Sequence, residues 1–292
     1  MTSTNKYSEF IRNRHSPRAF LPEPMPVEDI KQVLEDAQSA PSNSNTQPWH
    51  VHVVGGEKLK ELSAALIKEF DTNGLSPDFT TDYGEGIHPQ RSQELAAKMY
   101  GLLGIKREDK EGRVEFIREN LRFFGAPHAV LLFIPPMGDR IRAAFDQGTY
   151  TENFLLSLEA HGYHGIPQGM ISLIAPTARK FLGVDEDYKL VTAITFGTAD
   201  ESSPVFNTAP GRAPLSETVT VHGIEGLELD WIRGGDLCGQ SWPKGASASI
   251  ELSPWISLLR PLTMRLRPHC AAFGLKTRGC LRKRMRTPAA AP

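Results

Sequence analysis

Apolar residues recur along the first 223 positions of this chain with two different spacings. Positions three and four residues apart predict amphipathic helices, and these fall at 6–14, 27–39, 57–70, 90–103, 107–124, 142–160 and 177–182. Short continuous apolar runs predict strands at 49–54, 128–134 and 188–197, the last of them central. Between 71 and 89, Gly, Pro, Asp and Thr predict an irregular surface insertion. Helices with few strands and no regular βαβ repeat predict an α+β fold.

The segment 142–160 carries the strongest helical pattern. Phe145, Phe154 and Leu158 make it apolar on more than one side, which predicts a central and largely buried helix. Asp146 and Asn153 lie within it. We interpret them as polar groups satisfied inside a helix interface, and not as catalytic groups.

Composition divides the chain near residue 223. Residues 224–292 hold 11 Lys and Arg against 5 Asp and Glu, and all three cysteines of the chain. Gly, Pro, Ser and Arg there follow no sustained period. A disordered tail is favoured over a nucleic-acid or membrane-surface patch and over sequence never selected to fold. We therefore expect a folded domain at 1–223 and an atypical basic tail at 224–292.

Several function classes lack their sequence signals. There is no run of roughly 18 apolar residues and no apolar leader, so we expect no membrane contact and a cytoplasmic location. Neither a nucleotide-binding glycine pattern nor Cys/His metal spacing is present. His50 and His52 share one side of a strand but have no acidic or thiol neighbour, so a solvated face is favoured over metal binding. Nothing in the charge of the folded part indicates nucleic acid.

A polar segment follows the second predicted helix. It runs from Ala40 to Trp49 and is predicted to be extended, because Pro41 and Pro48 disfavour helical geometry before them. Its short side chains include Ser42, Asn43, Asn45 and Gln47. They suit hydrogen bonding to a flat polar ligand, although an ordinary helix-to-strand connection has the same composition.

A basic segment follows the first predicted helix. It reads Arg14-His15-Ser16-Pro17-Arg18, and two guanidinium groups with a hydroxyl can clamp a phosphate. A solvated basic helix end is the alternative, since cations are favoured at helix C-termini.

Together the two segments resemble the signatures of the FMN-dependent nitroreductase family. The order Pro-Ser-x-x-Asn-x-Gln-Pro-Trp lies at 41–49, with the Arg-His-Ser-x-Arg element 27 residues before it. The resemblance implies a mixed, mainly antiparallel sheet surrounded by helices. It also implies an intertwined homodimer with FMN at each subunit interface, so that each chain supplies part of the site.

The family's pattern extends further along the chain. Asn120 matches a middle region that reaches the flavin ring, and the turn at 163–170 matches one whose backbone N–H groups meet the pyrimidine side of the ring. In that turn Pro167, Gln168 and Gly169 are the matching residues. Arg212 matches a distal phosphate contact, but a second basic residue usual before the Pro-Leu pair is missing.

The resemblance also implies an activity. NADH or NADPH would pass a hydride to FMN, and a nitroaromatic, quinone or similar small electron-poor acceptor would then be reduced at the same place in a ping-pong cycle. No protein side chain is expected to act as a catalytic acid. The alternatives are FMN storage or sensing without turnover, and different flavin chemistry such as dehalogenation, azoline oxidation or flavin fragmentation.

Overall fold

The structure is a computed structural model that describes residues 5–229, and the predicted disordered tail lies outside the described residues from 230 onward. The helices are α1 Lys6–Asn13, α2 Val27–Gln38, α3 Gly56–Asn73, α4 Ile87–Leu102, α5 Lys110–Leu121, α6 Ile141–Ala160, α7 Gly169–Ser172, α8 Ala175–Leu182 and α9 Leu215–Thr218. The strands are β1 His50–Gly55, β2 His128–Ile134, β3 His164–Gln168 and β4 Lys189–Gly197.

The four strands form one sheet in the order β1-β2-β4-β3, and each neighbouring pair is antiparallel. All seven residues of β2 are buried, as its unbroken apolar run predicted. β4 lies between β2 and β3, so its predicted central position is confirmed. The predicted α+β fold, with helices around an antiparallel sheet, is likewise confirmed.

Helices cover both faces of the sheet because successive strand residues point to opposite sides. On one face, Leu131 and Phe133 of β2 pack in a cluster with α3, α5 and α8. On the other face, Val130 and Leu132 pack with α2 and α6. A third cluster joins α4 and α5 to Phe20 of the chain before α2.

The segment predicted to be a turn at 163–170 is instead the edge strand β3 followed by α7. Pro167 is tolerated there because an edge strand has one side without ladder hydrogen bonds. Gly165 is required by packing, since a Cβ at this position would lie 2.7 Å from Leu158 Cδ1 and 3.0 Å from Leu155 Cδ2. The glycine lets α6 approach the sheet closely.

Two helix predictions need correction. Phe145 was predicted to help bury the helix at 142–160, but 73% of its surface is exposed, whereas Phe154 and Leu158 are fully buried. The helix predicted at 107–124 ends at Leu121, and a 3-10 turn with left-handed Phe123 and Phe124 follows it. The helical spacing of apolar residues shows which residues share a helix face. It does not show whether that face packs against the core of the same chain or stays exposed.

The predicted irregular insertion is confirmed for residues 74–86, between α3 and α4. Asp78 fixes this segment from the inside: its carboxylate is almost fully buried and is paired with Arg179 of α8. The same carboxylate accepts the Leu190 N–H of β4 at 3.0 Å. Among the helices of residues 5–229, none is both long enough and apolar enough to cross a bilayer.

Candidate functional site

The basic segment that follows α1 forms a compact turn. Arg14 Nη1 donates to the carbonyl of His15 at 3.0 Å and lies 3.4 Å from Ser16 Oγ. Arg18 Nη1 donates to the Ser16 carbonyl at 3.1 Å and lies 3.4 Å from Thr208 Oγ1. Two guanidinium groups are thereby held around one serine, which is the arrangement predicted for a phosphate clamp.

The charge of Arg18 is not neutralised by the folded chain. Burial lowers the pKa of its guanidinium to about 10. Within residues 5–229, no carboxylate oxygen lies within 4.0 Å of the Arg14, Arg18 or Arg212 guanidinium. A partly buried cation without a counter-ion is costly, so this position is suited to an incoming anion.

His15 connects the basic segment to β3 and to the segment 200–215 that follows β4, which we call the arm. Its ring contacts Phe206 edge-on, with centroids 4.6 Å apart, and lies 5.2 Å from the His164 ring. Backbone bonding strengthens the connection, since Arg18 N–H donates to the Val205 carbonyl at 3.3 Å. The basic segment therefore lies beside the start of β3 and beside residues 205–206.

The polar segment is not extended as predicted but contains a 3-10 turn at Asn43–Asn45. Ser44, Asn45 and Gln47 have left-handed backbone angles, with φ of 50°, 57° and 47°. Pro48 excludes the right-handed helical region for the residue before it, as expected, but that residue adopts the left-handed region and not the extended one. Asn is well suited to this conformation.

Three polar residues of α6 hold the polar segment in place. Asp146 is 1% exposed, and each of its carboxylate oxygens accepts the Asn43 N–H at 3.1 Å. Thr149 Oγ1 donates to the Pro41 carbonyl at 2.8 Å, and Asn153 Nδ2 lies 3.4 Å from Ser39 Oγ. The interpretation of Asp146 and Asn153 as satisfied interface groups is confirmed.

The polar segment also has internal hydrogen bonds. Ser42 Oγ accepts the Gln47 N–H at 3.0 Å, and the Gln47 side chain donates to the Asn45 carbonyl at 3.1 Å. Gln38 of α2 donates to Gln47 Oε1 and accepts from Trp49 Nε1. The role of Gln38 could not be predicted from the sequence, because it depends on α2 ending beside the polar segment. The side chains of Asn43, Asn45 and Gln47 remain exposed on a fixed backbone.

Gln168 and Asn120 meet beneath the end of β3. The Gln168 side chain is 2% exposed, donates to the Asn120 carbonyl at 3.1 Å and accepts from Thr195 Oγ1. Asn120 Nδ2 donates to the Phe116 carbonyl at 2.9 Å. Both predicted side chains are therefore engaged within the chain.

Pro167 and Gly169, which flank Gln168, are exposed. Nothing lies within 4 Å of a Cβ built on Gly169, and its φ is not in the left-handed region. The chain itself does not require glycine there. The position is open to a ligand that would approach the backbone closely.

Arg212 lies on the arm and is exposed, with Nη1 donating to the Gly211 carbonyl at 2.7 Å. A recess of about 430 Å³ opens beside Arg18 and is lined mainly by apolar residues such as Phe20, Phe116 and Phe124. Its volume falls in the usual range for small-molecule sites. Among the residues that line this recess Arg18 is the cation, and the carboxylates of Glu115 and Glu119 line it as well. The apolar part suits the aromatic body of a ligand whose anionic end meets Arg18.

The predicted site residues fall into two groups by their polar contacts, and β3 of the first packs on α6 of the second at Gly165. The basic segment, β3 and the arm make one group, and the polar segment on α2 and α6 makes the other. The hydrogen bonds and ring contacts of residues 5–229 include none between the two groups. Within the same residues, no cluster of three or more metal-ligating side chains is present.

An antiparallel sheet packed between helices, with a basic and a polar segment at these positions, places this chain among the α+β proteins. A family model described as the nitroreductase family matches residues 11–198. The chain belongs to the nitroreductase family, and the predicted resemblance is confirmed.

Individual relatives cover most of the described chain. Nitroreductase NfnB of Mycolicibacterium smegmatis is 40% identical over 210 residues, which cover 71% of this chain and 89% of that protein. Chloronitrobenzene nitroreductase of Comamonas testosteroni is 30% identical over 219 residues, which cover 73% of this chain and 95% of that protein.

Solved structures show the same similarity. The crystal structure of the FMN-dependent nitroreductase NfnB from Mycobacterium smegmatis, in complex with NADPH, is 37% identical with a TM-score of 0.70. The match covers 74% of this chain and 97% of that one. The FMN and NADPH-dependent nitroreductase NfnB of Sphigopyxis sp. strain HMH is 30% identical with a TM-score of 0.72, covering 75% of this chain and 100% of that one.

Proposed function

We propose that this protein is an FMN-dependent NAD(P)H oxidoreductase that reduces nitroaromatics, quinones or similar electron-poor small molecules. The observation that carries the proposal is the Arg18 guanidinium, partly buried and without a carboxylate, in the basic segment of a nitroreductase-family fold. The phosphate of FMN is an anion of the required kind. Relatives named as FMN- and NADPH-dependent nitroreductases support both cofactors.

The described residues fit FMN at both of its ends. Arg14, Ser16 and Arg18 would hold the phosphate and ribityl chain, with His15 supporting the turn and Arg212 adding a distal cation. Ser42, Asn43, Asn45 and Gln47 would hydrogen-bond to the ring edge and ribityl hydroxyls from the polar segment. When bound, FMN would supply hydride-transfer chemistry between a nicotinamide donor and the acceptor.

The end of β3 would meet the pyrimidine side of the ring. Because the Gln168 amide is engaged with Asn120 and Thr195, the contact would come from the backbone at Gln168 and Gly169, with Pro167 fixing the strand. Backbone donors placed there stabilise negative charge that develops on the ring during reduction. Asn120 would act through its hydrogen bond to Gln168, and no side chain is assigned as a catalytic acid.

We further propose that the active form is an intertwined homodimer in which each FMN is held by both subunits. The support is that no hydrogen bond or ring contact within residues 5–229 joins the basic segment to the polar segment, together with apolar residues left exposed on α1 and α6. We also propose a cytoplasmic location, where reduced nicotinamide is available as the donor. The small-molecule acceptor would occupy the place that the nicotinamide leaves in the ping-pong cycle.

The test is an anaerobic titration of the purified full-length protein loaded with FMN. We expect the flavin absorbance to bleach on addition of NADPH or NADH and to return on addition of a nitroaromatic. A protein that fails to bind FMN would contradict the proposal at its first step. A protein that binds FMN but is bleached by neither nucleotide would instead indicate storage or sensing.

A further inference from the structure

The arm after β4 contains too few cations for the phosphate site that the family pattern implies. Between Pro204 and Leu215, Arg212 is the single basic residue. FMN phosphate carries close to two negative charges at neutral pH, by analogy with other phosphate monoesters. Arg14 and Arg18 of the basic segment are two further cations, and any additional cation beside the arm itself would come from another part of the chain.

Lys98 of α4 contacts the arm next to the residue that Arg18 contacts. Its Nζ donates to the Ala209 carbonyl at 2.6 Å, and the contact is partly buried. The preceding residue, Thr208, is the one whose hydroxyl lies 3.4 Å from Arg18 Nη1. Lys98 and Arg18 thus contact consecutive residues of the arm, whose Cα atoms are about 3.8 Å apart.

Hydrogen bonds within the arm and an ion pair beyond it help to hold Lys98 and Arg18 in these positions. Ala209 adopts a left-handed φ of 40°, and its N–H donates to Asn207 Oδ1 at 2.9 Å in a side-chain-stabilised turn. A second contact between α4 and the chain after the arm is the ion pair of Arg91 with Glu217, at 2.6 Å. α4 and the arm are therefore joined at two points, on either side of Arg212 in sequence.

The Lys98 ammonium has capacity for an additional acceptor. An ammonium group has three N–H donors, and the Ala209 carbonyl uses one of them. Within residues 5–229 no carboxylate oxygen lies within 4.0 Å of Lys98 Nζ. Like Arg18, it is a cation held in position without a counter-ion.

We propose that Lys98 is a phosphate-binding residue of the FMN site and supplies the cation that the arm lacks. The inference rests on the proposed function, because it takes FMN as the ligand. Lys98 lies in α4, more than 100 residues before the arm, so a motif search along the arm does not find it. A lysine acts here as a point charge, whereas Arg14 and Arg18 provide the fork geometry.

The test compares FMN with riboflavin, which has the same ring and ribityl chain but no phosphate. Fluorescence titrations of both ligands are made on the full-length apoprotein and on Lys98→Gln. We expect Lys98→Gln to weaken FMN binding by about ten- to a hundredfold, as for loss of a charge-assisted contact, and to leave riboflavin binding within about twofold. Lys98→Arg should restore most of the FMN affinity.

Lys106→Gln is the matched control, since Lys106 is exposed in the connection between α4 and α5. Equal weakening of both ligands by Lys98→Gln, with a lower melting temperature, would show that Lys98 only ties α4 to the arm and would overturn the proposal. An unchanged FMN affinity would overturn it as well and leave the proposed function intact. If the wild-type protein bound no FMN at all, both would fail together.

Discussion

Arg18 should strengthen FMN binding but should not stabilise the folded apoprotein. Its pKa is lowered to about 10 by burial, so folding holds a cation in a place that disfavours the charge. Its hydrogen bonds to Ser16 and Thr208 involve neutral oxygens. A partly buried cation with neutral hydrogen-bond partners is tolerated where a ligand supplies the opposite charge. Functional sites commonly reduce the stability of the fold in this way.

We therefore expect Arg18→Met to leave the unfolding free energy of the apoprotein unchanged or higher, while weakening FMN binding by about 1–3 kcal/mol. Urea unfolding without ligand and fluorescence titration with FMN measure the two quantities. Arg12→Met, in the exposed last turn of α1, is the control. A variant that lost apoprotein stability but kept its FMN affinity would show that Arg18 is structural.

His128 should make stability depend on pH. Its Nε2 accepts the Met25 N–H at 2.9 Å, so the ring is neutral in the folded chain, and burial lowers its pKa. A lowered folded-state pKa means that the unfolded chain binds the proton more tightly. The stabilisation is therefore present above the unfolded-state pKa of about 6.5 and is lost as the pH falls through the folded-state value.

We expect the unfolding free energy to decrease between about pH 7.5 and pH 5, and His128→Gln to flatten this dependence. His52 and His164, whose pKa values are also lowered by burial, should contribute the part that remains. Urea unfolding across this pH range is the measurement, with the exposed His88→Gln as the control. A slope identical in wild type and His128→Gln would exclude His128 as a source.

At the scale of elements, the position of the polar segment depends on α6. Asp146 is the key group because both of its oxygens lie 3.1 Å from the Asn43 N–H, in the turn that presents the proposed ring-binding side chains. The contact joins residues 103 positions apart. The segment therefore takes its shape from a helix distant in sequence, and not only from its own prolines.

Asp146→Ala should lower the unfolding free energy by about 1–3 kcal/mol, because the partly buried Asn43 N–H loses its acceptor. The same change should weaken FMN binding, since the turn loses its fixed geometry. Asp146→Asn keeps one acceptor oxygen and should recover much of both quantities. Comparable losses in the Asn and Ala variants would instead show that the negative charge, and not the hydrogen bond, fixes the turn.

The difference between predicted and observed elements has a physical pattern. β2 and β4 were predictable because their apolar runs are buried on both faces. β3 was not, because Gly165 and Pro167 disfavour a strand locally, and only the close approach of α6 and the edge position accommodate them. The 3-10 turn of the polar segment was missed for the same reason, since Asp146 stabilises it from outside.

The site residues follow the same division. Those in the two contiguous segments, such as Arg18 and Asn43, could be proposed from the sequence because their order is characteristic. Lys98 and Gln38 could not, because each becomes relevant only when separate elements pack together. The sequence likewise gave no means of knowing that Gln168 directs its amide inward to Asn120 and Thr195.

At the scale of the whole molecule, apolar surface remains exposed among residues 5–229. α1 is amphipathic yet has no buried residue, and Tyr7 and Ile11 on it are 63% and 56% exposed. Phe145 of α6 is 73% exposed, one position before the Asp146 that holds the polar segment. Exposed large apolar groups beside a proposed binding site are typical of protein interfaces.

We expect Phe145→Asp to shift the protein from dimer to monomer. Because the proposed site needs both subunits, the FMN content per chain should fall in proportion to the fraction of monomer. Light scattering after size exclusion gives the mass, and flavin absorbance of the same fractions gives the FMN content per chain. Phe79→Asp is the control, since Phe79 is 43% exposed but lies in the 74–86 segment and not on α6. A monomeric Phe145→Asp variant that retained one FMN per chain would show that one subunit completes the site. The basic and polar segments of a single chain would then bind the same FMN.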